Sequence, residues 1–391
     1  MRDETKLVTA GRDPEGNFGV VNAPVYHAST ILYPSLEALQ KTHAARAAGE
    51  RVVSYGRKGT PTTWSLEDAI TALEGGYRCQ VFPSGLAACS NAMMAFLKTG
   101  DHLLITDSVY GPSRSFCDTV LRRFGVEVTY YDPLIGAGIA DLIQPNTTVL
   151  YVEAPGSQTF EMQDIPTLTE VAHGKGLVVM MDNTWASPLF CKPFDLGVDV
   201  SIQAGTKYVV GHSDVMIGTV TATKECWPAL EASAGAFGQT AGPDDVYLAQ
   251  RGIRTLSVRL KQHMESGIAI AEWLKGRPEV HSVLHPALPD HPGHDIWKRD
   301  FLGASGLFSL RLNAVSKDAI AAFIDDLELF GMGYSWGGYE SLVVLADPTS
   351  YRTATHWDNT NPLLRFHIGL EAVDDLIGDL SAGFDRLNTA K

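Results

Sequence analysis

The sequence predicts an α/β protein, with a mostly parallel sheet in a large first region and a smaller α+β region after it. Three observations carry this reading. Short apolar runs alternate with amphipathic segments from about residue 64 to 222, the spacing of strand–helix–strand crossovers that cover both faces of a sheet. Two of those runs close on a charge: Gly176-Leu-Val-Val-Met-Met enters Asp182, and Val198-Asp-Val-Ser-Ile-Gln-Ala-Gly reaches Thr206 and Lys207. After about residue 253 the pattern changes to half-exposed alternating strands and one long amphipathic helix.

The elements follow in order. Residues 1 to about 57 are rich in turn formers and hold no sustained period, so they read as an arm that lies on a neighbouring subunit. Within the arm, His43-Ala-Ala-Arg-Ala-Ala fits a helical turn or two ended by Gly49. Leu66 to Leu73 reads helical, Cys79 to Phe82 extended, Gly85 to Leu97 helical and His102 to Thr106 extended. Pro112 to Phe124 is helical, and Val126 to Tyr131, Val149 to Val152, Leu177 to Met181 and Val198 to Ile202 are strands. Ile217 to Ala222 adds a further strand, expected to be antiparallel. The region from 58 to 253 is thus one expected domain and 254–391 another. The second holds a helix from Leu256 to Leu274, strands at 307–312, 342–345 and 364–368, and a helical tail from Val373.

Composition excludes several classes. The chain has 391 residues, 45% hydrophobic and 19% charged, the balance of a compact enzyme and not of a disordered chain. A net charge of −14 argues against a nucleic-acid partner, which needs a basic face. Five cysteines without a Cys-x-x-Cys pair fit free thiols in a reducing compartment. The polar start lacks a signal-peptide core, and no apolar run reaches the ~18 residues of a membrane span, so a cytoplasmic enzyme is expected.

The strand ends carry the chemistry. Ligands of open α/β sheets bind at the carboxyl ends of the strands. An acid and an amine there are the two groups pyridoxal phosphate needs, one facing the pyridinium nitrogen and one bonding the aldehyde. Each alone also fits a turn-forming acid or a solvated lysine. Ser84-Gly85-Leu86 stands where a strand turns into a helix, a place for a phosphate as well as for a plain helix cap. Thr206 offers a second hydroxyl beside Lys207. Tyr110 lies on the same rim, where its ring could stack on a flat cofactor or simply sit in a loop. Tyr55-Gly-Arg57-Lys-Gly-Thr combines an aromatic with a fork-shaped cation suited to phosphate or carboxylate. Arg365 is an isolated cation on an alternating strand, facing either a substrate carboxylate or solvent. Tyr334-Ser335-Trp336 opens an aromatic, glycine-rich loop fit for a pocket wall. His285, His291 and His294 fall in a proline-broken loop without metal-ligand spacing, and no metal site is expected.

Together these residues resemble the Cys/Met-metabolism family of pyridoxal-phosphate enzymes over essentially the whole chain. Seven ordered blocks carry the likeness, at 55–60, 132–137, 153–157, 182–186, 206–214, 334–341 and 365–371. The resemblance implies the aminotransferase-like fold type I. It implies that Lys207 bonds the cofactor, Asp182 pairs with its ring nitrogen and Tyr110 stacks on the ring. Gly85, Leu86 and Thr206 would hold the phosphate, joined by Tyr55 and Arg57 from a neighbouring subunit of a homotetramer. Arg365 would take the substrate carboxylate, with Tyr334, Ser335, Trp336 and Tyr55 lining the pocket, and Lys207 and Tyr110 would move protons. Two positions depart from the wider family: Ala204 stands where a serine is usual, and Ser157 where γ-acting relatives carry asparagine. The second, with Trp336, points to the branch that β-eliminates L-cystathionine to homocysteine, pyruvate and ammonia in methionine biosynthesis. A γ-synthase or γ-lyase, a cysteine or cystine C–S lyase, and a cofactor-binding regulatory protein stay open at this point.

Overall fold

A computed structural model describes residues 1–390. Seven strands form the first sheet: β1 (Arg78–Phe82), β2 (His102–Thr106), β3 (Glu127–Tyr131), β4 (Thr147–Glu153), β5 (Val178–Asp182), β6 (Val200–Gln203) and β7 (Gly218–Ala222). Their order is β1-β7-β6-β5-β4-β2-β3. All neighbours from β6 to β3 are parallel, while β7 runs against both β6 and β1, as its sequence suggested. β2 is buried at every residue, as is β6 despite its polar Ser201 and Gln203, because the sheet is covered on both faces.

Helices cover both faces. On one side the helix Gly85–Phe96 and the helix Trp227–Ala236 pack with Phe82, Ile105, Tyr151 and Val220. On the other, the helix Ile165–His173 packs with Leu104, Leu150 and Met181. That second helix begins at Asp164, whose carboxylate caps Thr167 N–H, and Pro166 stands in its first turn.

Five strands make the second sheet: β8 (Val280–Leu284), β9 (Leu307–Leu312), β10 (Phe330–Met332), β11 (Ser341–Ala346) and β12 (Leu363–His367), in the order β10-β11-β12-β9-β8. The pairs are antiparallel except β10 with β11, which is parallel. The helices Leu256–Lys275, Lys317–Ile324 and Val373–Thr389 bury one face of this sheet around Phe308, Phe323, Phe366 and Phe384.

Part of the N-terminal arm packs on its own chain. A helix over Asp3–Thr9 docks on its own chain, with Leu7 buried beside Leu66, Ile70 and Leu73 and Asp3 paired to Lys192 at 2.7 Å. A second helix, Leu36–Ala47, is longer than the few residues around His43 implied, and it starts at a Ser35 cap. Between and beside these helices, Phe18, Val20, Val21, Leu32 and Leu36 are exposed. All five thiols are buried and unpaired. No helix among the described residues is long and apolar enough to cross a membrane.

Candidate active site

A cavity of about 510 Å³ opens at the carboxyl ends of β1, β4, β5 and β6. It is lined by Ser84, Gly85, Leu86, Tyr110, Asp182, Thr206, Lys207, Tyr334, Ser335, Trp336 and Arg365. Three sequence-distant stretches, near 85, 182–207 and 334–365, therefore share one space because each closes a strand or connects two of them.

Asp182 ends β5 with its side chain buried. Thr184 satisfies one oxygen twice, through its N–H at 3.0 Å and its hydroxyl at 2.5 Å, and the Cys89 thiol approaches the other at 3.8 Å. Burial pushes the carboxyl up from its ordinary value, and the Thr184 and Cys89 hydrogen bonds and the Lys207 charge only partly counter it. A buried carboxylate without an ion pair is costly, and a cationic ring nitrogen would relieve that cost.

Lys207 sits in the connection between β6 and β7. Its Nζ donates to Ser335 Oγ at 2.6 Å and lies 5.3 Å from the centre of the Trp336 ring. Burial, followed by the Arg365 charge, lowers its ammonium to about 8, against the opposing pull of Asp182. An amine so placed is a nucleophile and a base near neutral pH. The loop is firmly held: Thr206 Oγ1 accepts from Ile217 N–H at 2.9 Å, and the buried Arg259 donates to Tyr208 O at 2.8 Å and to Gly252 O at 2.7 Å.

Gly85 opens a helix of 12 residues, capped by Ser84 accepting from Ala87 N–H at 3.1 Å. A Cβ on Gly85 would stand 2.5 Å from the Ala204 Cβ, so a glycine is required where these two segments meet. The helix start faces the cavity and leaves its first amides without intrahelical acceptors, which suits an anion. Arg365 reaches over from β12, donating to Ser335 O at 3.3 Å; it belongs to the cavity and not to a solvent-facing strand edge.

Tyr55 and Arg57 do not join this cavity within one chain. Arg57 instead donates to Gly235 O at 3.1 Å and lines a separate hollow with Arg46, Arg51 and Arg78.

Sequence reasoning passed over Glu153. It ends β4 in register with Asp182 at the end of β5, and its carboxylate accepts from Tyr110 N–H at 2.7 Å. Burial and the adjacent Asp182 push it well above the usual carboxylate range, against the opposing Tyr110 N–H bond. The signal that marks Asp182 marks Glu153 as well: a charge closing an apolar run.

These residues fit pyridoxal phosphate. A buried, half-open carboxylate, a near-neutral lysine and a helix start beside a threonine are the groups that a pyridinium nitrogen, an aldehyde and a phosphate call for. Residues 4–385 match the family described as Cys/Met metabolism PLP-dependent enzyme. The chain belongs to that family. Among similar proteins of this PLP-dependent family, cystathionine beta-lyase of Salmonella typhimurium is 47% identical over 390 residues, 98% of this chain and 98% of that one. Cystathionine beta-lyase MetC of Escherichia coli is 46% identical over 390 residues, with the same coverage of both chains. The crystal structure of cystathionine gamma synthase from Xanthomonas oryzae pv. oryzae, in complex with aminoacrylate and cysteine, superposes with a TM-score of 0.90 at 32% identity, covering 100% of both chains. The PLP-dependent chain thus has the fold type I architecture, with pyridoxal phosphate as its cofactor.

Proposed function

We propose that this PLP-dependent carbon–sulfur lyase β-eliminates L-cystathionine to homocysteine, pyruvate and ammonia, as a cytoplasmic enzyme of methionine biosynthesis. The observation that carries the reading is the meeting of Asp182, Lys207, Arg365 and Trp336 in one cavity. Near-half identity to cystathionine β-lyases over almost the full length selects that substrate over those of γ-acting relatives.

The roles follow from position and charge. Lys207 bonds the cofactor, Asp182 faces its ring nitrogen, and the Tyr110 ring stacks on it. Gly85, Leu86 and Thr206 hold the phosphate. Arg365 forks onto the substrate α-carboxylate, and Tyr334, Ser335 and Trp336 shape the wall around the side chain. When bound, pyridoxal phosphate supplies an aldehyde that bonds amines and a ring that accepts the electron pair of the Cα–H bond.

With the cofactor and substrate bound, Lys207 Nζ would take the Cα proton; its lowered ammonium value keeps a useful fraction neutral. Asp182 stays ionised opposite the ring cation. A proton from Lys207 or from Tyr110 then goes to the departing sulfur, so the thiol leaves neutral.

The arm, residues 1–57, is assigned to a contact with a neighbouring subunit. The exposed Phe18, Val21 and Leu32 are apolar surface that a lone chain leaves wet. Tyr55 and Arg57 are assigned to the partner's phosphate, and Tyr55 also to its substrate pocket. Residues 58–253 form the cofactor domain and 254–391 the C-terminal domain of a homotetramer built from dimers. Light scattering that gave an active species of 42.3 kDa, a single chain, would overturn this assembly.

The test of the reaction is product identification. Purified enzyme given cystathionine and pyridoxal phosphate is expected to release pyruvate and homocysteine. Release of 2-oxobutyrate and cysteine would instead make it a γ-lyase.

A further inference from the structure

Two histidines that no role above uses lie side by side next to Tyr208, their ring planes tilted by 42°. His263, on the helix Leu256–Lys275, and His367, on β12, have ring centres 5.2 Å apart, and both pack on the buried Tyr208 ring. Both are buried completely.

The backbone groups around each ring assign its proton a place. Gly337 N–H points at His367 Nε2 from 3.1 Å, so that nitrogen must offer its lone pair and the proton must sit on Nδ1. The Gly338 carbonyl, 3.2 Å from the same nitrogen, therefore receives nothing from it. His263 Nδ1 lies 2.8 Å from the Ile368 carbonyl and must donate to it, which leaves Nε2 as an acceptor. The two ring nitrogens left over, His367 Nδ1 and His263 Nε2, are buried and have no partner among the described residues. One is a donor and the other an acceptor, on neighbouring rings. Buried polar groups are rarely left unpaired.

The turn that the first ring holds is strained and reaches the lysine. Ser335 has φ +83, a left-handed conformation that costs a non-glycine residue energy, and it accepts the Lys207 Nζ bond. Gly337 has φ +87, and a Cβ there would stand 2.8 Å from the Lys207 carbonyl carbon. Such a turn persists only when its surroundings over-determine it.

We propose that His367 and His263 form a neutral pair with fixed tautomers, His367 Nδ1–H serving His263 Nε2 through one bridging water, and that this pair holds the Ser335–Gly338 turn against Lys207. His367 is then a positioning residue for the elimination, acting through Ser335 and Trp336 and touching no substrate. The charged and titratable groups that face it from the packed elements are Lys207, Arg365, Arg259, Tyr208 and His263. None is acidic. Burial, reinforced by these cations, lowers His367 to about 3, and burial lowers His263 to about 4, so both rings stay neutral at working pH.

The inference rests on the proposed elimination for its kinetic test but not for its spectroscopic one. His367→Gln keeps an acceptor oxygen near the place of Nε2, whereas His367→Leu removes it. In the holoenzyme, His367→Leu is expected to lower kcat/KM for cystathionine at least about tenfold. It should also move the pH midpoint of the cofactor's visible absorption band, because Lys207 loses a fixed neighbour. His367→Gln should recover most of both changes. His263→Leu, which leaves the Gly337 contact in place, should move the band in the same direction by less, and it serves if His367→Leu does not fold. Unchanged kcat/KM and band position in His367→Leu would overturn the proposal, and so would a His367→Gln enzyme as impaired as the leucine variant. A wild-type enzyme inert toward cystathionine would sink the reaction assignment and leave the absorption test standing.

Discussion

Lys207→Ala is expected to leave a folded protein with turnover reduced at least about 10³-fold, within the range that one acid–base group supplies. The same substitution should end covalent capture of the cofactor. Borohydride reduction of the wild type with pyridoxal phosphate should add one cofactor mass per chain, and the variant none. An adduct of equal yield in the variant would mean that another amine bonds the aldehyde. Folding should survive, because the Lys207 side chain makes one hydrogen bond, to Ser335, while its loop is held by Arg259 and Ile217. The variant's melting temperature separates the two explanations of lost activity.

The second large effect lies outside the cavity. Asp107 is buried just beyond β2 and gathers the donors of a distant loop. Thr353, Ala354 and Thr355 give it their N–H groups at 3.0, 3.1 and 2.9 Å, Thr355 adds its hydroxyl at 2.8 Å, and the buried Arg114 pairs with it. Asp107→Asn would turn an NH₂ toward these donors and leave Arg114 without its counter-charge. Breaking a buried pair on one side costs about 3–5 kcal/mol, and a loss of that size is expected in denaturant unfolding. Burial alone would raise this carboxyl, but the Thr353 and Thr355 hydrogen bonds and Arg114 win and hold it below its ordinary 3.8. A lowered carboxylate contributes stability that is complete above pH 3.8 and is lost as the pH falls through the folded-state value. The gap between wild type and Asp107→Asn should thus be full at pH 7 and should close in strong acid. A constant gap down to pH 2 would show that the charge is not its source. Tyr110 lies three residues on, so the variant should also weaken cofactor binding.

Much of this was legible before any coordinates. Asp182 and Lys207 announce themselves because a charge closing a buried strand has no reason to be there except a ligand or a turn. Gly85 and Tyr110 follow from the same rim. From sequence Arg365 fits two readings, since β12 alternates as though one face were wet. It is covered on both faces because the 335–338 turn and the helix Leu256–Lys275 fold over it, contacts at least 29 residues away along the chain that no local pattern encodes. His367 stayed hidden for the same reason. Helices such as Ile165–His173 and Lys317–Ile324 carry their cap residues Asp164 and Ser316 openly, but they are short, and a single amphipathic turn or two rises little above loop composition. What surface the arm covers is a property of two chains and cannot be read from one.

Because β7 is the one strand of its sheet that runs backwards, the stretch from Ala204 to Ile217 returns along the ligand-facing rim with no helix in between. Thr206 and Ile217 are knotted backbone to backbone at 3.0 Å, which fixes the length of that return. Surface loops tolerate inserted residues; this one has no slack to give. Descendants of this chain would be free to restyle the far wall only outside the 335–338 turn, at the exposed Tyr334 for instance, and so to change which amino acid is taken. The lysine's side of the cavity is the inherited chassis, and new chemistry would have to be written opposite it.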